Sequence, residues 1–83
     1  MPHLVADAVA RAVSVKVEKG WVCVLLDDDR EIRFPATKSR RLQRGTPEQV
    51  ANVEIICRGT GLHWPDMDED LSVQGIVEGR FGQ

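Results

Sequence analysis

The densest group of side chains able to do chemistry lies in one stretch, Gly61-Leu-His-Trp-Pro-Asp-Met-Asp-Glu-Asp-Leu-Ser-Val-Gln-Gly75. One imidazole, His63, is followed by four carboxylates: Asp66, Asp68, Glu69 and Asp70. The spacing Asp66-x-Asp68-x-Asp70 copies the opening of an EF-hand calcium loop. Such a loop needs Gly at the next position for its sharp turn and Glu at its twelfth. Here those positions hold Leu71 and Val77, which excludes the calcium loop. His63 titrates near neutral pH and could form an acid/base pair or half a metal site with Asp68 or Asp70. Such a pair needs a nucleophile or a third ligand to become catalytic, and no Ser, Cys or second His supplies one by motif. His3, close to the start of the chain, is not counted as the missing ligand. The simpler expectation is that His63 hydrogen-bonds one acid and pins the segment to a strand. No catalytic residue, metal ligand or cofactor site is assigned.

Other candidates yield plainer readings. Asp27-Asp28-Asp29 lies between two apolar runs and reads as a solvated turn rather than a metal site. Cys23 and Cys57 fall in apolar runs and are expected to be small, reduced core residues, with a disulfide as the alternative if their strands are neighbours; they form no Cys-x-x-Cys pair. Trp64 before Pro65 is expected in the core or at its rim, with an interface anchor as the alternative. Arg40, Arg41 and Arg44 could grip phosphate. Residues 30–44 carry six basic groups against Glu31, whereas residues 59–83 carry five acids against Arg80. These two regions are expected to neutralise each other within the fold. The candidate binding surface is His63, Trp64, Asp66, Asp68, Glu69 and Asp70 with Arg40 and Arg41.

The elements that position these residues are short. Residues 3–12 are Ala- and Val-rich without a period, either a short helix or an extension of the first strand. Ala12 to Glu18 alternates with Val13, Val15 and Val17 on one face, a half-buried strand. Lys19-Gly20 is a turn, and Trp21 to Leu26 is apolar on both faces, as a central strand would be. Glu31 to Phe34 alternates with Ile32 and Phe34 inward, closing a hairpin. Thr37 is expected to cap a helix over 38–44, stopped by Gly45 and anchored by Leu42. Thr46-Pro47-Glu48-Gln49 combines an N-cap, a first-turn proline and a capping-box partner. Val53 to Cys57 and Leu62 to Trp64 are expected strands, and Ser72 caps a terminal helix from Val73 to about Glu78 with Gly79 as its stop. The order is β-β-β-α-α-β-β-α: an α+β fold with one small, largely antiparallel sheet of about five strands and short helices.

Eighty-three residues, 42% hydrophobic and 29% charged, with a net charge of −2, describe one ordinary globular domain over 1–83. No apolar run is long enough to span a bilayer, and Met-Pro-His-Leu-Val-Ala-Asp lacks the basic start of a signal peptide. A cytoplasmic protein without membrane contact is expected. The quoted matches Thr46-Pro47-Glu48-Gln49, Val53-Glu54-Ile55, and Gly61-Leu-His-Trp-Pro with Asp68-Glu-Asp-Leu-Ser-Val resemble the family of domains of unknown function 2442, over about 13–79. The resemblance implies a small bacterial protein. Relatives in that family often lie beside the gene for another small protein, and some are fused to a helix-turn-helix domain. It therefore implies regulation or an antitoxin-like pairing. The expectation is a non-enzymatic protein-binding component whose partner is another small protein, with homo-oligomerisation left open. One alternative is a small enzyme or metal- or ligand-binding domain using His63 with Asp68, Glu69 and Asp70. Another is a weak nucleic-acid binder through Arg40, Arg41 and Arg44, disfavoured by the acidic net charge and the lack of interleaved aromatics.

Overall fold

A computed structural model describes residues 9–82. His3 and most of the Ala/Val-rich start lie outside them; of that start, Ala12 opens the first strand. Six strands form two separate sheets, not one sheet of five. The first is an antiparallel meander of β1 (Ala12–Glu18), β2 (Trp21–Leu26) and β3 (Glu31–Pro35), with β2 central. The second, β4 (Glu54–Ile56), β5 (Gly61–Trp64) and β6 (Glu69–Ser72), is also an antiparallel meander with β5 central. Between the sheets in sequence run a 3-10 turn (Ala36–Lys38), α1 (Arg40–Gln43) and α2 (Pro47–Ala51); α3 (Val73–Val77) follows β6.

The expected loop at 68–70 is thus largely a strand. Three consecutive acids hide the alternation, but Glu69 and Leu71 face one side and Asp70 and Ser72 the other. Pairing of Leu62 with Leu71 and of Trp64 with Glu69 fixes that register. The helix expected over 38–44 is shorter, and its cap is Ser39 rather than Thr37. Ser39 Oγ accepts from Leu42 N, whereas Thr37 lies inside the preceding 3-10 turn. The capping box at Thr46 and Gln49 forms in both directions, and Ser72 Oγ accepts from Gly75 N at 2.7 Å to start α3.

The first sheet departs from its expected pattern in two places. A bulge between Ala12 and Ser14 turns Ala12 inward opposite Leu26 and leaves Val13 57% exposed. At the other end Trp21 faces outward, 43% exposed, with the Arg33 guanidinium 5.6 Å from its ring centre. Both sheets contribute to one apolar cluster, including Val22, Val24, Leu26 and Phe34 from the first and Leu62, Trp64 and Leu71 from the second. Leu42, Val50, Val73 and Ile76 complete it from the helices.

Two close approaches join the parts. At Gly59 (φ +92°) a Cβ would stand 2.8 Å from the Ala12 carbonyl oxygen, so only glycine lets the chain pass the start of β1. Cys57 and Arg58 just before it also have positive φ, and Cys57 is exposed in this turn, not buried in a strand as expected. Cys23 is buried, and both thiols are free. At Gly45 a Cβ would meet Met67 Sδ at 2.5 Å, so the turn between β5 and β6 packs directly over the junction of α1 and α2.

Candidate functional site

The second sheet sorts the carboxylates by strand geometry. Side chains alternate along a strand, and directly paired residues share a face. The register Glu54–His63–Asp70 therefore places an imidazole between two acids on the outer face. His63 Nδ1 donates to Asp70 Oδ1, and this hydrogen bond, helped by the charges of Asp70, Glu54 and Asp68, raises the His63 pKa above its ordinary value. Of the acids named with His63 from the sequence, Asp70 is the one it contacts. Glu54 was missed; only the β4–β5 register brings it opposite. Among the described residues, no Ser, Cys or second His hydrogen-bonds this pair, and no three His, Cys, Asp or Glu side chains converge as a metal site.

The inner face holds Glu69 and Trp64, paired across the strands. Trp64 is fully buried and its Nε1 donates to the Val50 carbonyl at 2.8 Å, so it fastens α2 to β5 and offers no surface to a partner. Glu69 is 8% exposed, and its Oε2 accepts from the fully buried Ser39 hydroxyl at 2.9 Å. Its Oε1 accepts from the Asp70 backbone N–H at 3.1 Å. The Ser39 hydroxyl thus donates to Glu69 while accepting from Leu42 N, linking the cap of α1 to β6 across thirty residues of sequence. Ser39 carried no signal in the sequence beyond being a serine before a basic run.

Asp66 and Asp68 are exposed. Asp66 Oδ2 accepts from Asn52 Nδ2 at 2.9 Å, and Asp68, at φ +51°, contributes its backbone carbonyl to Arg41 Nη1, also at 2.9 Å. Among the described residues that carbonyl is the one hydrogen-bonded link from the α1 arginines to the acidic stretch. No ion pair joins Arg40, Arg41 or Arg44 to Asp66, Asp68, Glu69 or Asp70 among the described residues. Among the described residues the expected ion pairs from these arginines do not form; Asp70, Glu69 and Asp66 bond to His63, Ser39 and Asn52 instead. Arg40, Arg41 and Arg44, with Gly82, line a surface hollow of about 310 Å³.

On the other flank of α1 lies a larger, mainly apolar groove of about 520 Å³, formed in part by Val17, Ala36, Leu42, Pro47, Val50 and Ala51. Its walls come from β1, the 3-10 turn, α1 and α2, so no local motif announces it.

Residues 12–82 match the family described as a protein of unknown function, DUF2442. The chain belongs to that family. Its fold is similar to the crystal structure of a protein of unknown function from Rhodospirillum rubrum, at 33% identity and a TM-score of 0.83, covering 89% of this chain and 92% of that one. It is also similar to the solution NMR structure of an uncharacterized protein from Chromobacterium violaceum, at 29% identity and a TM-score of 0.80, covering 96% of this chain and 75% of that one. No curated protein matches the chain. Among the described residues, no helix of this family member is long and apolar enough to cross a membrane.

Proposed function

We propose that this family member is a non-enzymatic cytoplasmic domain that binds another protein, as a regulatory or antitoxin-like component. The observation that carries the reading is the apolar groove of about 520 Å³ open beside α1. Its volume falls in the range of sites that take up apolar groups, and it presents little polar chemistry of its own. The occupant is a set of apolar side chains from a second protein, steered by Arg40, Arg41 and Arg44, which form no ion pair among the described residues. The residues that would serve an enzyme have structural work instead. His63 is held by Asp70, Glu69 by Ser39, and Trp64 by the Val50 carbonyl.

The test is quantitative affinity purification with cross-linking, comparing the parent with Ala51→Glu. Ala51 is an exposed groove residue, so the variant places a charge in the groove without touching the core. A stoichiometric protein partner, cross-linked to the groove and lost from the variant, supports the reading. A partner held equally by both proteins, or none at all, overturns it.

A further inference from the structure

We propose that the hollow lined by Arg40, Arg41 and Arg44 binds carboxylates of an acidic segment on the partner protein, the same segment whose apolar side chains enter the groove. The inference rests on the protein-binding reading above and specifies the chemistry of the partner. Arg40, Arg41 and Arg44 occupy one side of α1, opposite the buried Leu42. Neither the Arg40 nor the Arg44 guanidinium has a hydrogen-bond or ion-pair partner among the described residues, while Arg41 is oriented by the Asp68 carbonyl at 2.9 Å. Among the described residues no carboxylate lines the hollow. Glu69, beneath Gly82, is turned inward onto Ser39. Three like charges around one hollow repel one another, and a bound anion removes that repulsion. The planar guanidinium fork matches a carboxylate with two parallel hydrogen bonds, which fixes the ligand's orientation as well as its charge.

The choice of an acidic protein segment over a nucleic acid comes from what adjoins the hollow. Leu42 and Gln43 of the same helical turn line the apolar groove, so one ligand can span both flanks of α1. A phosphodiester strand would bring sugars and bases there, with no aliphatic side group larger than the thymine methyl, whereas a protein segment brings leucine-sized side chains. The exposed Asp68 and Asp70 of the adjoining strand end would repel a long polyanion, whereas a short segment avoids them.

The experiment uses the full chain with 15N-labelled arginine and 13C-methyl-labelled leucine and valine, and three probes: a short acetylated peptide of Glu and Leu residues, its Lys/Leu counterpart, and a single-stranded oligodeoxynucleotide. The Glu/Leu peptide is expected to shift the Arg40, Arg41 and Arg44 side-chain signals and the Leu42 and Val50 methyl signals together, in a saturable way. Arg40→Glu/Arg44→Glu, whose positions are exposed, should melt like the parent and bind at least about tenfold more weakly. Four results would overturn the proposal: unmoved arginine signals at millimolar peptide, equal shifts from the Lys/Leu peptide, unchanged affinity in the double variant, or tighter binding of the oligonucleotide. The last would identify a nucleic-acid site. A native partner retained unchanged by the double variant refutes this inference and leaves the protein-binding reading intact. Peptide binding at the arginines with no protein partner recovered from cells refutes that reading and keeps the site's chemistry.

Discussion

Replacing Ser39 with alanine removes one hydroxyl that makes two buried contacts. The first is the N-cap of α1, where Ser39 Oγ accepts from Leu42 N at 3.3 Å, and such caps are worth about 1 kcal/mol. The second is the 2.9 Å hydrogen bond to Glu69 Oε2, of a class worth about 1.5–3 kcal/mol when one partner is charged. With Ser39 fully buried and Glu69 8% exposed, water cannot replace the lost donor without opening the contact between α1 and β6. Together these give a loss of about 3 kcal/mol, a large part of the stability of so small a domain. For a domain of this length each kcal/mol moves the melting temperature by about 4–8 °C, so Ser39→Ala should melt roughly 12–24 °C lower. Circular dichroism with urea and heat measures it, with Asp28→Ala as the reference. Asp28 sits in an exposed turn, where its contacts to Arg30 N and Nε are solvated, so Asp28→Ala should melt close to the parent. In a double-mutant cycle, Glu69→Ala should add far less in the Ser39→Ala background than in the parent. If Ser39→Ala melts within a few degrees of the parent, or the two substitutions are additive, the link between α1 and β6 is not what holds them together.

Three further outcomes follow from the same geometry. Asp29→Gly should stabilise the β2–β3 hairpin by about 0.5–1 kcal/mol, since Asp29 sits at φ +71°, where glycine is unstrained; an unchanged or lower urea midpoint would contradict this. His63 should titrate above its ordinary value by NMR and fall towards it in Asp70→Asn. The folded state raises this pKa, so its contribution to stability is complete below the unfolded value of about 6.5 and disappears as pH rises through the folded value; a parent and Asp70→Asn with the same pH dependence would contradict it. Acrylamide should quench Trp21 and spare Trp64, which single-tryptophan variants separate by fluorescence, because one is 43% exposed and the other fully buried.

The sequence by itself determined what depends on neighbours a few residues apart. The reciprocal capping box at Thr46 and Gln49, the Ser72 cap and the turn at Lys19-Gly20 need only the dihedral angles and side-chain reach of adjacent residues. The α+β class, the meander of the first three strands and the His63–acid contact followed from the same local signals. What only the tertiary structure decided is which face each residue of the acidic run takes. Asp68, Glu69 and Asp70 are chemically alike along the chain. Pairing of β6 with β5 turns Glu69 in beside Trp64 and Asp70 out beside His63, and a shift of one residue would reverse them. Ser39, thirty positions away, then becomes the donor that Glu69 requires, and among the described residues the arginines of α1 have no carboxylate partner. The groove likewise exists only once β1, α1 and α2 are brought together. Contacts between residues so far apart are set by packing and strand register, and no short window of sequence contains them.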